Sequence, residues 1–64
     1  MIVKGIVSAI DTEAGTIDVI LPEYGNVVVR PIKVCKEDAF NVLKVNDFVL
    51  VVVFNNDFND CVII

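Results

Sequence analysis

Apolar residues recur along much of this chain at a spacing of two, the period of a β-strand with one buried face. "TIDVIL" (16–21) is the clearest case. Ile17, Val19 and Leu21 fall on one face, and Thr16, Asp18 and Ile20 on the other. "IVKGIVSAI" (2–10) is rich in β-branched residues and predicts a first strand, with Gly5 marking a bulge or a sharp bend. "VVVRPIKV" (27–34) predicts a third strand, weakened at Pro31. Proline has no N–H to give a ladder, so this strand belongs at an edge or at a break in pairing. The stretches between are turns by composition. "DTEAG" (11–15) holds Gly15, free to take positive φ, and "PEYGN" (22–26) holds Pro22, suited to the second position of a turn.

Two later segments break the alternation. "CKEDAFNVLK" (35–44) brings Ala39, Phe40 and Leu43 to one helical face, with Glu37 and Asp38 near its start and Lys44 near its end. That pattern predicts about two helical turns or an irregular loop. "DFVLVVVF" (47–54) predicts a fourth strand, yet seven apolar residues follow Asp47 without interruption. "NNDFND" (55–60) reads as a turn and "CVII" (61–64) as a fifth strand. The expected fold class is all-β: a small five-stranded Greek-key barrel, OB-fold-like, with a short helix or loop between strands 3 and 4. An SH3-like barrel is the competing architecture, but it usually carries its helical turn between the last two strands. One domain is expected over residues 1–64, since a chain of this length supports one small core.

The unbroken apolar run asks what covers the second face of the fourth strand. Either Phe48, Leu50, Val52 and Phe54 point inward or Val49, Val51 and Val53 do, because successive side chains alternate. A short helix covers only part of one end, and an apolar strand left bare is an aggregation template. The expectation is an assembly surface built from outward valines. Val49, Val51 and Val53 would supply it on the fourth strand, and Val27 and Val29 on the third.

Composition sharpens this picture. Hydrophobic residues make up 56% of the chain and the mean hydropathy is +0.77, more greasy surface than a small barrel hides well. The longest apolar run, Phe48 to Phe54, is far short of the roughly 18 residues of a membrane span, and the N-terminal stretch lacks a secretory cleavage pattern. Neither a membrane span nor secretion is therefore expected. A net charge of −4 disfavours a non-specific nucleic-acid binder, which needs a basic footprint. Single-strand binding on an OB barrel would draw on Arg30, Lys33 and Tyr24 and remains the alternative reading.

With no histidine, the commonest general base and metal ligand is missing, and neither catalysis nor a cofactor is expected. Cys35 and Cys61 are too few for a disulfide scaffold, lack metal-ligand spacing and suit a reducing compartment. In an OB barrel Cys35 ends the third strand and Cys61 begins the fifth, which runs parallel to it. A bridge between them is therefore not expected. Asn55, Asp57 and Asn59 have the alternate spacing of a calcium loop's start, but no glycine at the sixth position and no closing glutamate follow.

The stretch "VNDFVLVVVFNNDFNDCVII" (45–64) resembles the end of the small OB-fold domain of phage tail baseplate and spike proteins, and of related contractile injection systems. The matching pieces are Val45-Asn46-Asp47, then Val49, Val51 and Phe54, then Asn56-Asp57-Phe58, and last Val62-Ile63-Ile64. "KGIVSAID…GTIDVILPEYG" looks like the family's opening hairpin. Asn46 stands where the family usually has glycine. The resemblance implies a structural, non-enzymatic module that packs on itself, as a trimer around a tail axis, or docks on other tail proteins. It implies a place in the virion tail, or in the host cytoplasm during assembly.

Overall fold

The computed structural model describes residues 1–31, 33–34 and 39–64, without the side chains at 33, 39 and 40. Its strands are β1 (Ile2–Asp11), β2 (Thr16–Leu21), β3 (Val27–Val29), β4 (Lys33–Val34), β5 (Phe48–Phe54) and β6 (Asp57–Ile63). One helical turn, α1 (Ala39–Val42), lies between β4 and β5. The order across the sheet is β3-β2-β1-β5-β6-β4, and every pair is antiparallel except β4 with β6.

This order is an OB-like Greek-key barrel with its third strand split. β3 and β4 are the two ends of the predicted third strand, and Pro31 lies in the gap between them. β3 pairs with β2, whereas β4 pairs in parallel with β6, Lys33 opposite Val62 and Val34 opposite Ile63. One segment of chain thus supplies both margins of the sheet and curls it into a small barrel. The break at Pro31 is where a residue without an N–H fits such a change of partner.

β1 is long enough to serve two neighbours. Ile2 to Ile6 pair with β5, and Ile6 to Asp11 pair with β2. The bulge expected at Gly5 lies between Val7 and Ala9 instead. Gly5 faces the interior, where a Cβ would run into Cγ1 of Val19. Its role is close approach of one strand to another, which the absence of a side chain permits.

β6 begins earlier than the sequence suggests. Asn55 and Asn56 take φ of 54° and 57°, so two residues close the hairpin from Phe54 to Asp57. Left-handed geometry at both central positions matches the twist of the flanking strands, and asparagine tolerates it. The expected turn at 55–60 therefore shrinks to its first two residues. The predicted helix is described only as α1, since residues 35–38, with Glu37 and Asp38, lie outside the described part. Leu43, just after α1, is buried against the barrel.

The core is a set of alternate positions: Val3 and Val7 from β1, Ile17, Val19 and Leu21 from β2, Val29 from β3, Val49, Val51 and Val53 from β5, and Cys61 and Ile63 from β6. Mostly valine-sized side chains fill it, as the narrow interior of a small barrel requires. No polar or charged residue among those described is buried.

Candidate interaction surface

The inward set of β5 is fixed by this packing, and it corrects the surface expected from the sequence. Val29, Val49, Val51 and Val53 are core residues, Val51 with 0% of its surface exposed, and they have nothing to offer a partner. Only Val27 of the five expected contact residues reaches solvent, at 37% exposure. The physical reason is size: valines at alternate positions fit the narrow interior, so the bulkier Phe48, Leu50 and Phe54 point out.

The outward face is apolar over several strands. In register across β1 and β5, Ile2 stands opposite Val52, Lys4 opposite Leu50 and Ile6 opposite Phe48. The rows continue from Ile6 to Ile20 on β2 and Val28 on β3, and from Val52 to Val62 on β6. Phe48 is 66% exposed and Ile2 63%, with Val28, Leu50 and Ile64 also open. Ile6, Ile20, Val52 and Val62 are half-buried between them. Such residues were legible as an apolar alternate set. What singles them out is that the opposite set on β5 is uniformly valine.

Lys4 is the charged residue amid these rows on β1. Its Nζ lies 4.4 Å from the centre of the Phe48 ring, within cation–π range, so the pair forms a ridge. A hollow of about 310 Å³ opens beside it, lined by Lys4, Ile6, Pro22, Glu23 and Phe48. A second, of about 300 Å³, is lined by Lys4, Leu43, Phe48, Val49, Leu50, Ile63 and Ile64.

The residues considered for single-strand binding lie apart from this face or are engaged. Arg30 Nε donates to Asp18 Oδ1 at 2.8 Å, and that hydrogen bond, followed by the charge of Asp18, raises the arginine's pKa. Tyr24 packs edge-on against Phe58 with ring centres 5.4 Å apart, and its hydroxyl donates to Met1 Sδ at 3.1 Å. The side chain of Lys33 is outside the described part.

Cys61 is buried, and its thiol donates to the Phe58 carbonyl at 3.4 Å. Burial first, then the charges of Asp60 and Asp57, push its pKa up, the opposite of what a nucleophilic thiolate needs. Cys35, and with it the expected absence of a bridge, lies outside the described residues. In the Asn/Asp-rich segment, Asp57 Oδ1 accepts the Asn59 N–H at 2.9 Å. This carboxylate is occupied with local backbone.

Fold and face together define a small all-β barrel with an apolar interior and one apolar outer face across β1, β2 and β5. No protein-family model, curated protein or solved structure matches the chain. Among the described residues no helix is long and apolar enough to cross a membrane.

Proposed function

We propose that the chain is a non-enzymatic assembly module of a phage or prophage tail baseplate, working by self-association or by docking on other tail proteins. The observation that carries this reading is the outer face centred on Phe48, where apolar side chains run in register across β1, β2 and β5. A face of this kind is at its lowest free energy when covered by protein, and burial contributes roughly 25 cal/mol per Å².

The resemblance of residues 45–64 to baseplate OB domains supplies the setting. Asn46, in the family's glycine position, has φ of 77°, the left-handed conformation for which glycine is ordinarily chosen. A chain without histidine, whose described cysteine is a buried thiol with its pKa pushed up by burial, fits a structural part better than a catalyst.

The test is to quantify the chain by mass spectrometry in purified tail particles from the producing strain. A fixed ratio to the other tail proteins is expected. Abundance in the lysate with none in the particles would end the tail assignment.

A further inference from the structure

Lys4 and Glu23 both line the hollow beside Phe48, yet they form no ion pair with each other; among the described residues Arg30–Asp18 is the salt bridge. The hollow thus carries one positive and one negative side chain around an apolar floor. We infer that its occupant is a second copy of this chain, placed by a two-fold axis that crosses the hollow. The inference rests on the assembly reading above and names the partner.

A two-fold interface uses the same patch on both copies, so the patch must be complementary to itself. An axis through this hollow lays Lys4 of each copy on Glu23 of the other and brings Phe48 of each into the other's hollow. A uniformly charged rim could not do this, because like charges would meet across the axis. The hollow's apolar lining of Ile6, Pro22 and Phe48 continues into Ile2 and Leu50 on the paired strands, with Phe48 66% and Ile2 63% exposed, so a copy seated there has apolar surface to cover. Backbone pairing is not needed, since the contact is face to face, and the exposed aromatic at its centre is the usual type of anchor.

Charge reversal gives this geometry a distinctive signature. In sedimentation velocity the parent chain should form a species of twice its 7.0 kDa mass. Lys4→Glu alone and Glu23→Lys alone each bring like charges together twice per dimer, and each should weaken self-association at least tenfold. Mixing the two variants one to one restores both ion pairs in a mixed dimer, and native mass spectrometry should find it at near-parental affinity. Circular dichroism checks that each variant is folded; both sites are exposed.

Singles that associate like the parent, or a mixture that recovers nothing, would overturn the two-fold arrangement. So would a parent that is trimeric, that stays monomeric at millimolar concentration, or that floats with phosphatidylcholine vesicles as a monomer. Phe48→Lys separates the two claims. If it abolishes association while charge reversal has no effect, the two-fold pairing fails and the assembly face stands. If it too changes nothing, both fail.

Discussion

Gly5 sits on the inward side of β1 between Val3 and Val7, and a Cβ there would collide with Val19 Cγ1 and stand 3.3 Å from Leu21 Cδ2. Both neighbours belong to β2 and are fully buried, so neither swings into open space. Gly5→Ala is expected to cost about 1–3 kcal/mol in urea denaturation, the range for overpacking a filled core. If the collision with Val19 is the cause, Gly5→Ala combined with Val19→Ala should cost less than the two singles together, because the second change removes the offending methyls. Strict additivity would move the origin of the cost elsewhere.

Among the elements, the β5–β6 hairpin depends on two consecutive left-handed residues, Asn55 and Asn56. A residue with a Cβ and no compensating polar group resists that conformation by about 1 kcal/mol. Asn56→Ala should therefore lower the urea midpoint by that order, whereas Asn56→Gly should match or exceed the parent, as glycine suits the second position of such a turn. Equal effects of the two changes would mean that the turn relaxes to another geometry. Local polar contacts fix other turns in the same way. Asp11 Oδ1 accepts the N–H groups of Glu13 and Ala14, both at 3.0 Å, and Asp47 Oδ2 accepts that of Lys44 at 2.9 Å. Each gives a backbone donor outside the ladder a partner.

For the whole molecule, the two sides of β5 carry separate tasks. Val51 is wholly inside and Phe48 mostly outside, so their substitutions should behave differently. Val51→Ala is expected to reduce the unfolding free energy by about 2 kcal/mol, from lost burial and the cavity left behind. Phe48→Lys should cost no more than about 1 kcal/mol at low protein concentration, the lost cation–π contact with Lys4 included. The parent's melting temperature should rise with concentration, because association stabilises only the folded state, and Phe48→Lys should abolish that rise. Scanning calorimetry across a concentration series reads both effects. Phe54, 44% exposed, belongs with Phe48 in this respect, as a member of the same outward alternate set.

The sequence by itself determined the number and order of the main strands, the weak point at Pro31 and the left-handed position at Gly15, because each rests on local chemistry. Alternation at period two, a missing N–H and a residue's tolerance of positive φ act within a few positions of chain. It also announced that β5 would be apolar on both faces. Which face turns inward was decided only in the tertiary structure. Val49, Val51 and Val53 alternate as cleanly as Phe48, Leu50 and Phe54, so hydropathy cannot rank the two sets. The choice comes from the width of the barrel and from registers such as Val3 opposite Val51 and Val51 opposite Ile63. The same holds for Gly5, whose need for a bare Cα comes from Val19 on another strand. It holds as well for the joint lining of one hollow by Lys4 and Glu23, which are far apart in sequence and meet only because β1 and β2 are paired.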